Sequence, residues 1–224
     1  MTRISTEQFV EDLARDVAPV SPLPRLRTVL LAVLGAWAIT FGAMRLLGSG
    51  AAAPVGAVPH GDLRFLMIGV GAGIFAVGAM LRALAGAIPG REPEARAGAR
   101  AAAIGAVAVL LACVWALVGG FERGTLDLGG SLMCMGHAVL LALLPMIGVS
   151  LFLVRAYARQ PLVAAIFAAT GTVALGVLAV HLSCHAGGWF HILLGHAFAP
   201  FAVGCVLAVP IAFALRARSR RGVE

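Results

Sequence analysis

Apolar residues crowd into six long runs, at 27–47, 63–87, 101–120, 131–153, 162–182 and 189–215, with few charges inside them. Runs of roughly 20 mainly apolar residues match the length at which an α-helix crosses a hydrocarbon core about 30 Å thick. The pattern predicts six transmembrane helices. Only residues 1–26 interrupt it at any length. There Phe9, Val10, Leu13 and Val17 recur at helical spacing among Glu7, Glu11, Asp12, Arg15 and Asp16. Ser5 and Gln8 stand three apart just before this stripe, the form of a capping box. A short amphipathic helix, acidic on its polar side, is therefore expected, and Pro19, Pro22 and Pro24 then favour an extended spacer. The largest connection, 88–100, carries Pro89, Gly90, Pro93 and several arginines, and 154–161 joins the fourth and fifth runs. The expected fold class is all-α, a polytopic six-transmembrane-helix bundle over 27–215 with the amphipathic segment before it and a basic tail, 216–224, after it.

Composition agrees without adding much: 61% of residues are hydrophobic and 12% charged, outside the usual soluble range. Charge adds orientation. All seventeen basic residues are arginine, and if both chain ends are cytoplasmic, all but Arg45, Arg64 and Arg123 fall on the inner side, as the positive-inside bias favours. Their dispersal over several short segments explains the basic balance by topology and speaks against nucleic acid as a partner. A cleaved leader is not expected, because the first run exceeds the 7–15 apolar residues of a signal sequence and follows a long acidic segment. The same acidity bears on the amphipathic helix. Interfacial anchors are rich in Lys and Arg, whereas Glu7, Glu11, Asp12 and Asp16 would be repelled by anionic headgroups. Membrane lipid surrounds the bundle, but a protein is the expected partner of the Phe9, Val10, Leu13 and Val17 stripe.

The four cysteines and six histidines carry the remaining chemistry. Cys113 and Cys205 fall in apolar stretches, where cysteine is expected to pack as a small hydrophobe. His60 lies in a polar loop and reads as solvated. The others gather at the outer helix ends: Cys134 and His137 open the fourth span, His181, Cys184 and His185 close the fifth, and His191 and His196 open the sixth. Thiolate and imidazole are the ligands zinc prefers in tetrahedral sets of four, and copper(I) accepts the same soft sulfur with histidine. Ionisable groups in a membrane are costly and point to function, so a metal site is expected there, with a Cys134–Cys184 disulfide as the competing chemistry. No paired carboxylates, nucleophile with an orienting base, or phosphate loop appears, and the chain is not expected to be an enzyme. Gly69, Gly71 and Gly73 sit within an apolar run, where close helix packing is their expected role, and Pro145 and Pro210 are expected to bend their helices.

The order of these features resembles the six-helix membrane anti-sigma factors of the negative-regulator-of-sigma-F type, over nearly the whole chain. The resemblance rests on the acidic helix followed by Pro19 to Pro24, on Pro89-Gly90, on Cys134 with Pro145, on the stretch from Arg155 to Pro161, and on Cys184, His191 and His196. Within the family, the length and histidine-rich outer ends look like the myxobacterial type tied to light-induced carotenoid synthesis. The resemblance implies that the cytoplasmic N-terminal segment holds an extracytoplasmic-function sigma factor at the bacterial inner membrane until an envelope, light or oxidative signal frees it. It also implies that Glu7, Phe9, Val10, Glu11, Asp12, Leu13, Asp16 and Val17 form the sigma-binding surface. Cys134, Cys184, His191 and His196, with His137 and His181 as alternates, would be a sensory or structural cluster. A reading from a different class is a small membrane metal- or haem-binding transport or redox protein, in which His137, His181 and His196 supply a haem pair.

Overall fold

The computed structural model describes residues 5–16, 22–47, 63–118, 128–156, 158–184 and 189–221, and every regular element among them is helical. Helix α1, Thr6–Asp16, starts where local chemistry sets it. The Gln8 N–H donates to Ser5 Oγ at 3.2 Å and the Ser5 N–H to Gln8 Oε1 at 3.4 Å, so each side chain satisfies a backbone donor that the helix start leaves over. Phe9 and Val10 are left more than half exposed. Val17 and Pro19, assigned to the same segment, lie outside the described residues.

Six helices long and apolar enough to span a membrane follow, which makes this a multi-pass membrane protein. They are α2, Leu26–Leu47, α3, Leu63–Ala85, α4, Glu92–Val118, α5, Leu128–Ala156, and α6, Pro161–Ser183, and the last run, which is subdivided. That run opens as α7, Trp189–Ile192, widens into a π-helical segment, Leu193–Phe198, and continues as α8, Ala199–Arg221. It was expected as a single transmembrane helix bent at Pro210.

A second departure lies between α3 and α4. Most of 88–100 was expected to be loop, yet α4 already begins at Glu92. The connection proper is a type II turn: the Arg91 N–H reaches the Ile88 carbonyl at 3.2 Å, with Pro89 and Gly90 at its centre and Gly90 at φ 82°. Pro93 is tolerated in a first turn, Glu92 and Glu94 complement the helix dipole there, and alanine and arginine propagate the helix beyond the apolar run. Arg216 to Arg221, expected as a tail, likewise continue α8. Pro145 and Pro210 both lie inside continuous helix.

Small residues decide how the spans pack. Gly71 and Gly78 of α3 face Gly105 and Gly98 of α4; a Cβ on Gly71 would lie 3.0 Å from the Gly105 oxygen, and one on Gly98 2.8 Å from the Gly78 oxygen. The seven-residue spacing on both helices sets glycine against glycine along an antiparallel crossing, where contact between backbones replaces the hydrophobic drive that lipid does not supply. Gly176 lets α6 lie directly on the backbone of α5 at Ala138, and Gly204 does the same for α8 at Thr170 of α6. Helix α6 is thereby the centre, packed against α3, α5 and α8, whereas α2 rests mainly on α5. Trp37 Nε1 donates to the Leu175 carbonyl at 2.8 Å and ties α2 to that centre. The starts of α3, α5 and α7 and the end of α6 thus meet at one end of the bundle.

Candidate metal centre

At that end Cys134, Cys184, His191 and His196 each present a ligand atom, and these four atoms lie within 4.8 Å of one another. Each arrives by a different route. Cys134 stands in the second turn of α5. Cys184 caps α6 in an extended conformation, with φ −76° and ψ 135°, where the chain leaves the helix. His191 belongs to α7 and His196 to the π-helical segment. Residues five apart on a regular α-helix diverge by about 140°. A turn closed by i→i+5 hydrogen bonds brings such a pair toward one face, and single π turns of this sort are concentrated at functional sites. Gly195 within it accommodates α5, since a Cβ there would stand 3.3 Å from the Ser131 carbonyl.

The hydrogen bonds determine which ring atoms are available. His181 is fully buried, with Nε2 3.0 Å from the Phe65 carbonyl of α3 and Nδ1 3.1 Å from His196 Nδ1. A carbonyl only accepts, so His181 Nε2 carries the hydrogen. With His181 as a neutral imidazole, its Nδ1 is then an acceptor, and His196 Nδ1–H donates to it. His196 Nε2 is left as a bare lone pair. That atom is buried and has no hydrogen-bond partner among the described residues, an arrangement that costs free energy unless an electrophile completes it. His191 is built in parallel: Nδ1 lies 3.3 Å from Ser131 Oγ, and Nε2 lies 3.3 Å from Cys184 Sγ. Both histidines therefore give one nitrogen to an orienting partner and keep the other available for a metal, as metal-bound histidines do. The Phe65 and His181 rings stack at 3.8 Å between centroids, and Gly69 leaves space for the imidazole, a Cβ there lying 3.3 Å from His181 Cδ2.

The donor set fits zinc. Zn–S near 2.3 Å and Zn–N near 2.0–2.1 Å give a tetrahedral S···N edge of about 3.5 Å, close to the 3.3 Å between Cys184 Sγ and His191 Nε2. Two thiolates neutralise a divalent ion, so the completed site has no net charge to bury at a membrane-embedded helix end. Cys134 and Cys184 stand as thiols, with no disulfide between them.

The four residues expected as the cluster meet, and the alternate ligand His137 does not join them. It is exposed, and its Nδ1 lies 2.9 Å from the Met133 carbonyl one turn back on α5. His181 supports the cluster from behind, while His185 and His60 lie outside the described residues. Cys113 is buried as expected, but Cys205 is exposed on α8, because that helix turns an apolar face outward where lipid replaces protein contacts. Ser131 and the Phe65 carbonyl escaped the sequence reading. Ser131 precedes Cys134 by three residues and shares its helix face, a signal that was present. No local pattern announces a backbone carbonyl from another helix. No protein-family model, curated protein or solved structure matches the chain.

Proposed function

We propose that this protein is a membrane-bound anti-sigma factor that holds an extracytoplasmic-function sigma factor through its N-terminal segment and carries zinc at the opposite helix ends. The observation that carries the metal half is the bare, buried Nε2 of His196, on a side chain grouped with two thiols and a second imidazole. Four protein ligands close the coordination sphere, which suits a structural or sensory ion rather than a catalytic one with an open position. The ion would tie α5, the end of α6 and the π-helical entry to α8 together, and its loss or replacement by a softer metal such as copper(I) would release them from one another.

The regulatory half is supported by α1, whose capping box preorganises a helix with Phe9 and Val10 exposed. An amphipathic helix of this kind suits a groove on a partner, and Glu7 and Glu11 would meet basic surfaces around it. The arginine distribution supports an inner-membrane protein with α1 in the cytoplasm and the cluster on the outer side. For the rival haem reading, His181 and His196 bond each other directly at 3.1 Å, which leaves no room for an iron between those two nitrogens.

The test is co-purification of the full chain with the extracytoplasmic-function sigma factors of its own cell. Phe9→Asp with Val10→Asp should abolish capture and release the silenced promoters. Undiminished capture by this variant, with membrane insertion intact, overturns the regulatory reading.

A further inference from the structure

At the end of the bundle remote from the cysteines, the end of α3, the start of α4 and the α5–α6 connection enclose a cleft of about 330 Å³. Arg82, Arg96 and Arg159 line it, one from each of these elements, together with Gln160 and a single acid, Glu92. Three arginines less one glutamate give the lining a formal charge of +2. None of this belongs to the metal centre, and topology alone accounts for arginine at a helix end but not for three converging on one cavity.

The cleft is shaped around these groups. Arg82 is half-buried, and its guanidinium lies over the Phe167 ring at 5.8 Å from the centroid. Gly86 leaves it space, because a Cβ at that position would collide with Arg82 Nη1. A guanidinium held against an aromatic face loses less freedom on binding than a solvated one. Two long helices, α4 and α6, also begin here and add the positive ends of their dipoles. The carboxylate of Glu92 bonds its own turn, where Oε1 accepts the Gly90 N–H at 3.4 Å, and it lies in the field of Arg159 and Arg96, so it offsets one of the three positive charges. Ala85, Ile88, Ala95 and Ala99 supply the apolar part of the lining. Cationic forks beside apolar residues, at the ends of spanning helices, match a phosphate group attached to or lying beside a lipid.

We infer that this cleft binds a phosphate-bearing anion, with Arg82, Arg96 and Arg159 as its ligands. An anionic phospholipid headgroup and free phosphate share that chemistry, and the experiment separates them. Full-length protein, stripped of lipid in a neutral detergent, is titrated with short-chain phosphatidylglycerol, short-chain phosphatidylcholine or inorganic phosphate while its thermal unfolding is followed. Phosphatidylglycerol should raise the midpoint at concentrations where phosphatidylcholine does nothing. Arg96→Gln with Arg159→Gln should weaken the effect by about tenfold or more, whereas the charge-matched pair Arg216→Gln with Arg218→Gln, on α8 and outside the cleft lining, should retain it. If inorganic phosphate alone produces the whole shift, the site stands and its ligand is the free anion. The inference is overturned if no anion shifts the midpoint, if phosphatidylcholine acts as well as phosphatidylglycerol, or if the two double variants behave alike.

Discussion

At one end of the bundle Cys134, Cys184, His191 and His196 bring their ligand atoms within 4.8 Å of each other; at the other, Arg82, Arg96 and Arg159 surround a cleft of about 330 Å³. The first end carries no fixed positive charge among these groups and depends on direction. A lone pair on His196 is left bare by the bond to His181, which is held in turn by the Phe65 carbonyl. The second end carries charge on long side chains, and there reach matters more than angle. The contrast teaches where substitutions should act sharply and where they should act gently.

The largest effect expected is at the directed end. Cys184→Ala or His191→Ala should reduce bound zinc from about one per chain to near none, read by metal analysis of protein purified without chelator. Full occupancy in both variants would break the comparison at its root. His181→Leu comes next, since the loss of an orienting partner typically costs about 10–100-fold in metal affinity. His181→Gln should recover most of this, because an amide both accepts and donates, and competition against a chromophoric chelator distinguishes the two. If leucine and glutamine weaken binding equally, His181 acts only by filling space.

Gly176→Ala tests the framework beneath the cluster. The added methyl meets the Ala138 carbonyl, four residues from Cys134, and overpacking of this kind costs about 1–3 kcal/mol in reversible unfolding from mild detergent. Unchanged stability would show that α5 and α6 separate easily. The smallest effect is the sharpest control. His137→Ala, one turn from Cys134 but outside the cluster, should leave zinc content at the native value, and a loss there would move the centre.

Helices α2 and α6 show how much of the fold was legible in the sequence. Their apolar stretches are alike, with mean hydropathy 1.8 and 2.2, yet 11% of one is buried in the bundle against 78% of the other. Hydropathy identifies both as spans because lipid and protein interior are equally apolar to it. The same equivalence hides which one is central. Composition does not separate them, since each helix holds two glycines and two threonines, and Gly176 shows its role only once Ala138 is known to lie against it. The candidate site divides in the same way. Cys134, Cys184, His191 and His196 were legible as candidates from ligand chemistry and from lying at one end of their runs. His137 stood beside them as an alternate, and the bond from His181 to Phe65, 116 residues away, left no mark on the sequence.

By itself the sequence determined the six spans, the start of α1 at Ser5 and the gathering of thiols and imidazoles at one end. These follow from interactions within a few residues or between a single helix and its solvent. Only the tertiary structure decided that α6 is the centre, that His191 and His196 share a face through a π-helical segment, and that His181 leaves His196 Nε2 bare on a side chain grouped with two thiols. Each of those depends on groups far apart in the chain, whose approach is governed by the fit of small residues and not by any local pattern.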